Sequence, residues 1–224
     1  MHREVVLDTE TTGFEPSQGH RLVEIGCLEL INHVPSGKNF HTYINPERDV
    51  PEEAQAVHGL SYAFLKNHPF FKDVGLSFLD FIGQSPLIIH NAKFDMKFIN
   101  SELKEHNWPE IPFSRAIDTL AIARKKFPGS PASLDALCKR FGVDNRKRDK
   151  HGALLDAELL AQVYLELIGG KQPGLSLHFS SQLKEVEQEV KKEKQMRSPR
   201  LHAPSAEELT LHAELMVKLK KASG

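Results

Sequence analysis

Apolar spacing changes period several times along this chain, and that alternation restricts it to folds in which helices cover a sheet. Residues 4–7 (EVVL), 21–31 and 39–44 carry alternating or continuous apolar positions bounded by Gly and Pro, so three strands open the chain. Over residues 52–82 the spacing is helical, interrupted at His68-Pro69 because a residue before proline is biased away from helix. PLIIHN (86–91) reads as a short buried strand, residues 93–106 as a helix and residues 116–119 as a last strand. Helical spacing returns over 120–126, 133–141 and 153–168. This order predicts an α/β domain over residues 1–170, with a mixed central sheet of about five strands and helices on both faces.

Composition changes after Gly169-Gly170. Residues 171–204 hold QLKEVEQEVKKEKQMR, almost all charge and amide, and then RSPRLHAPS, so a solvated linker or loose helix is expected there. In residues 205–224, Ser205 and Glu208 have capping-box spacing, and Leu209, Leu211, Leu215, Met216 and Leu219 give the following helix an apolar side that wants a partner. Lys+Arg 29 against Asp+Glu 30 leaves almost no net charge, so any nucleic-acid contact has to be local. Cys27 and Cys138 lack metal-ligand spacing, the start MHREVVLD lacks a signal-like apolar run, and no stretch approaches a membrane span; a soluble protein of the reducing cytoplasm is the expectation.

The acids carry the chemistry. Asp8 and Glu10 stand two apart at the end of the first strand, which puts both carboxylates on one side of the backbone, where they repel unless a cation lies between them. Hard divalent ions such as Mg²⁺ take such oxygens, although a solvated strand end explains the pair equally well when it is taken alone. Asp95 opens a helix after LIIH, and Asp156 sits among Leu155, Leu159 and Leu160 on a helix that must face the core. An unpaired buried carboxylate is improbable, so burial near Asp8 and Glu10 again argues for a cation; an N-cap for Asp95 and a boundary carboxylate for Asp156 are the plainer readings. His151, five residues before Asp156, stands where a general base would be useful, or is simply a surface histidine at a helix start.

DTETTG (8–13), HNAKFD (90–95) and HGALLDA (151–157) resemble, in order and spacing, the three motifs of DnaQ-like exonucleases with a catalytic histidine, over roughly residues 1–170. AVHGL (56–60) and FPGSPASLDALCKRFGV (127–143) narrow the resemblance to the epsilon subunits of bacterial DNA polymerase III. The resemblance implies a ribonuclease H-like fold and a 3′→5′ exonuclease that releases nucleoside monophosphates from single-stranded or frayed DNA ends. It implies two divalent ions, Mg²⁺ or Mn²⁺, on Asp8, Glu10, Asp95 and Asp156, with His151 as the base. Two ions can stabilise both the attacking and the leaving oxygens of an in-line displacement. It also implies that Thr11, Thr12 and Phe14 line the terminal nucleotide, with the aromatic ring against a base. Glu53 and His58 match positions near the terminal sugar, and Asn91 one beside Asp95. His90 is as readily a satisfied structural histidine, and Asp118 reads as a helix N-cap in preference to a carboxylate orienting the site.

Arg146, Lys147, Arg148 and Lys150 crowd the approach to His151; they either touch backbone phosphates or form a solvated face. Leu175-Ser176-Leu177-His178-Phe179 resembles sliding-clamp-binding peptides, with Gly174 where the leading glutamine would stand. The capped C-terminal helix on a charged tether suits docking onto the polymerase catalytic (alpha) subunit. A stand-alone exonuclease trimming RNA or oligonucleotides and a non-catalytic polymerase–clamp scaffold are the competing readings. The first has no need of the tether and partner helix, and the second has no reason to keep four acids and a histidine in this order.

Overall fold

The computed structural model describes residues 2–146, 148, 150–169 and 204–222, and the chain divides into two compact units, 1–174 and 175–224. In the first unit, β1 (Arg3–Thr11), β2 (Leu22–Ile31), β3 (Val34–Tyr43), β4 (Leu87–Ile89) and β5 (Ala116–Asp118) form one sheet in the order β3-β2-β1-β4-β5. β1 and β2 pair antiparallel, as do β2 and β3, while β4 runs parallel to both β1 and β5. This is the mixed five-stranded sheet expected from the apolar runs. β3 starts five residues earlier than its apolar pattern suggested. Asn32 and His33 both take positive φ, 51° and 68°, in a two-residue hairpin turn, and the turn's twist carries the pairing straight on into Val34 opposite Ile31. The extension lies on the exposed edge, where no hydrophobic alternation is needed.

Period-two alternation divides the core between the two faces of the sheet. Val5, Leu7, Ile25, Cys27, Leu87 and Ile89 face α3 (Phe71–Ile82) and α4 (Ala92–Glu105), where Phe78, Ile82, Met96, Phe98, Ile99 and Leu103 meet them. Val6, Leu28, Leu30 and Ile88 face α5 (Thr119–Lys126), α6 (Leu134–Phe141) and α7 (Ala153–Ile168) on the other side. A partly buried ion pair also fastens α4 to the start of β2: Arg21, just before that strand, donates from Nε and Nη2 to both oxygens of Glu102, each at 2.7 Å. The helical stretch over 52–82 breaks at Gly59 as well as before Pro69, giving α1 (Glu52–His58) and α2 (Tyr62–Leu65). Gly59 ends α1 at φ +78°, and a Cβ there would lie 2.7 Å from the Lys150 side chain.

In the second unit, α8 (Ala206–Ala222) carries the expected capping box: Glu208 N–H donates to Ser205 Oγ at 3.3 Å, and Ser205 N–H to Glu208 Oε2 at 2.8 Å. Leu209, Leu211, Leu215, Met216 and Leu219 are all exposed. The clamp-motif-like residues 175–179 and the charged stretch 182–197 lie outside the described residues. Among the described residues no helix is long and apolar enough to cross a membrane.

Candidate active site

The alternation that sorts the core also places the acids. Asp8 and Glu10 continue the row of Val6 toward α7, while Thr9 continues the row of Val5 and Leu7 toward α4. Thr9 there meets Asp95, in the first turn of α4: its N–H and Oγ1 donate to Asp95 Oδ1 at 3.1 and 2.7 Å. One oxygen of Asp95 is thus committed to the sheet and the other is left for the cleft. The N-cap of α4 is Asn91, in the left-handed conformation, so Asp95 is not a cap. On the opposite side α7 can bring Asp156 over β1 because residue 26, paired with Asp8, is glycine. A Cβ on Gly26 would stand 2.3 Å from the backbone of Ala153 and of Leu154.

Asp8, Glu10, Asp95, Asp156 and His151 therefore line one cleft of about 770 Å³. Ligand atoms of Glu10, His151 and Asp156 all fall within 4.8 Å of one another, and Asp95 and Asp156 are 3% and 2% exposed. So much buried like charge perturbs titration. Burial pushes the Glu10 carboxyl up to about 8, with Asp156, Glu24 and Asp95 adding to the rise. Burial drives Asp8 well above the usual carboxylate range, reinforced by Asp95, Glu10 and Asp156. Asp95 rises to about 7 through burial, against the pull of its Thr9 hydrogen bonds. Carboxyls that are buried and crowded by like charge, and so hold their protons, fit a hard divalent cation, which would supply the missing positive charge.

Among the described residues, Arg148 brings a guanidinium to this cluster. The Arg148 side chain is 6% exposed, and its Nε and Nη2 donate to Asp156 Oδ1 and Oδ2 at 2.5 and 2.7 Å. Nη1 donates to Asp135 Oδ1 at 2.8 Å, and Nη2 also reaches His151 Nδ1 at 2.9 Å. A guanidinium offers only donors, so Nδ1 of His151 is the acceptor and the ring's hydrogen is on Nε2. The expected basic loop is thus split. Arg148 turns inward, Arg146 pairs with Asp144 at 2.9 Å, Lys150 lies over Gly59, and Lys147 is outside the described residues. The His151 backbone is held by its own N–H, which donates to Val57 O at 3.2 Å, while its side chain stays 45% exposed.

A second cavity of about 450 Å³ adjoins the first and is lined by Thr11, Thr12, Phe14, Glu53, His58 and Phe94, among others. Phe14 lines both cavities and is 83% exposed, its carbonyl held by Lys97 Nζ of α4 at 3.0 Å. The hydroxyls of the threonines serve the turn: Thr11 Oγ1 donates to Gly13 O at 2.6 Å, and Thr12 Oγ1 accepts from Arg21 N–H at 3.0 Å. His58 is 5% exposed; burial lowers its pKa, and its Nδ1 accepts from Leu60 N–H at 3.0 Å, which puts the hydrogen of the neutral ring on Nε2. Glu53 is exposed on α1. Asn91 lines the acidic cleft. Asp118 caps α5, accepting from Leu120 N–H at 2.9 Å, and also takes the Asn91 N–H at 3.2 Å. His90 bonds Thr119 Oγ1 at 3.0 Å, and burial lowers its pKa. Sequence reasoning missed Gly26, Lys97 and the inward turn of Arg148. Glycine at a strand position facing a helix was the only available signal for the first, and the other two carry none.

The Exonuclease (RNase_T) family matches residues 5–164. The chain is similar to the DNA polymerase III subunit epsilon of Rickettsia felis, 49% identical over 225 residues covering 99% of this chain and 98% of that one. It is also similar to that of Salmonella typhimurium, 42% identical over 232 residues, 99% of this chain and 95% of the relative. The chain belongs to the DNA polymerase III epsilon-subunit family. It is a 3′→5′ exonuclease, a hydrolase whose function is proofreading. Among solved structures it resembles exonuclease X in complex with 5′-overhanging duplex DNA, with a TM-score of 0.58 and 25% identity over 75% of this chain and 91% of that one. That likeness makes the epsilon-family sheet and its helices ribonuclease H-like. Exonucleases of this type use divalent metal ions.

Proposed function

We propose that this chain removes single nucleotides from frayed or single-stranded 3′ DNA ends at the cleft between β1, α4 and α7, as the proofreading subunit of a replicative polymerase. The observation that carries the reading is the convergence of four carboxylates from three separate segments on one side of an exposed histidine. Asp8, Glu10, Asp95 and Asp156 would hold two divalent ions, for which Mg²⁺ fits the all-oxygen set and Mn²⁺ substitutes. Such ions supply Lewis acidity and stabilise charge on the attacking and leaving oxygens. The protein does the rest. His151 takes the proton of the attacking water, its backbone fixed on α1 and its ring open to solvent. Phe14 stacks on a base and reads no sequence, which suits an enzyme that must accept any misincorporated end. Thr11 and Thr12 line the pocket for the terminal nucleotide, with His58 and Glu53 on its sugar side. Asn91 stands at the phosphate end, beside Asp95.

Release of nucleoside monophosphates from a 3′-mismatched primer should require Mg²⁺ or Mn²⁺, and His151→Ala should lower the rate by roughly 10²- to 10⁴-fold. Undiminished turnover by that variant would remove His151 from the chemistry, and preference for an RNA primer would favour the trimming role. The exposed apolar residues of α8 support docking on the polymerase catalytic subunit, and the sequence of residues 175–179 supports a weak contact with the sliding clamp; a cytoplasmic replisome is the setting this reading implies. Deleting residues 198–224 should leave hydrolysis of free single strands intact and abolish co-purification with the catalytic subunit. Association that survives the deletion would refute the role given to α8.

A further inference from the structure

Arg148 spends its guanidinium on the oxygens that the proposed metal reading needs. Its fork takes both oxygens of Asp156, at 2.5 and 2.7 Å, in a cleft where Asp156 is 2% exposed. The guanidinium takes the lone pair of each oxygen that faces it, and a divalent ion brought onto the same carboxylate would be repelled by that cation at close range. The same guanidinium occupies His151 Nδ1 at 2.9 Å, so the ring is held by the group that holds the carboxylate. The outer arm, on Asp135 Oδ1 at 2.8 Å, is different in kind: Asp135 lies in the first turn of α6, 57% exposed, at the rim of the cleft. Arg148 therefore has an inner set of partners, Asp156 and His151, and an outer one, Asp135.

We propose that Arg148 is an internal counter-cation that a divalent ion must displace from Asp156, and that the same displacement releases the His151 ring. Resting as it does on the metal reading above, the inference makes Arg148 a positioning residue that sets the affinity for metal. Binding coupled through competition is reciprocal, so removing the competitor must tighten the ion. Coupling of this kind typically amounts to 5- to 150-fold.

The test is Mn²⁺ binding to the full chain at low ionic strength, followed by electron paramagnetic resonance of the free ion and compared among wild type, Arg148→Ala and the closer-sized Arg148→Gln, each checked for folding by circular dichroism. Roughly tenfold tighter Mn²⁺ binding is expected in the variants, together with a larger rise in melting temperature on adding Mg²⁺ than wild type shows. Equal or weaker Mn²⁺ binding in folded Arg148→Gln would overturn the inference, and should Arg148→Ala not fold, the Gln variant decides alone. Wild-type Mn²⁺ binding that persists unchanged in Glu10→Gln would instead overturn the metal reading, so the two failures are told apart.

Discussion

Asp8→Asn is expected to remove roughly 10³-fold or more of the exonuclease activity and at the same time to raise the melting temperature of the chelator-treated protein. The two effects have one cause. Burial and the neighbouring Asp95, Glu10 and Asp156 hold the Asp8 carboxyl well above its usual range, so ionising it works against the folded state. The sign follows from proton counting. Between the ordinary carboxylate range and the raised one the folded protein keeps a proton that the unfolded chain has lost, so stability falls as pH rises through that window. Glu10, raised to about 8, and Asp95, raised to about 7, place the upper part of the window near neutrality. An amide of the same shape removes one charge from the cluster, and its advantage in melting temperature should be larger at pH 8 than at pH 5. Thermal melts with chelator at the two pH values, with primer hydrolysis in Mg²⁺, check both halves. A variant that stays active, or that melts lower than wild type at pH 8, would mean that the carboxylates are not held in mutual repulsion for the sake of a metal.

Gly26→Ala is the second large effect. Its methyl would meet the backbone of Ala153 and Leu154 at 2.3 Å, and backbone cannot rotate aside as a side chain can, so the start of α7 must move. Overpacking of this sort costs about 1–3 kcal/mol. A shift of about 1 Å in a catalytic group can lose on the order of 10² in rate, and the shifted segment carries Asp156. Gly75→Ala separates the two consequences. Its methyl would meet the Trp108 ring, 2.3 Å away, on α3, which lines neither cavity described above. It should lower the melting temperature while the folded protein keeps its specific activity. Equal activity in Gly26→Ala and Gly75→Ala, measured at a temperature where both are folded, would show that α7 does not depend on Gly26 for its placement.

The acids were legible because each sits where a local pattern constrains it. Asp8 and Glu10 had to share a side of β1 by strand alternation alone, and Asp156 had to point inward because Leu159 and Leu160 do. The three motifs, read together, also pointed to exonuclease chemistry before any distance was known. The capping box of α8 was equally local and formed as its spacing implied. The hairpin at Asn32-His33 was not legible, since the edge strand it begins is exposed and leaves no hydrophobic trace.

What the sequence by itself determined is the set of elements, the faces they bury and the kind of side chain available to the chemistry, because periodicity and residue type act over a few neighbouring positions. Only the tertiary structure decided that Thr9 takes one oxygen of Asp95, that Gly26 lets α7 settle against β2, and that Arg148 folds onto Asp156 and His151 instead of facing solvent. Those outcomes depend on which segments, 80 or more residues apart in the first case, come within a few ångströms of each other. A long charged side chain looks the same in sequence whether it ends in water or in a cleft, and packing alone chooses between them.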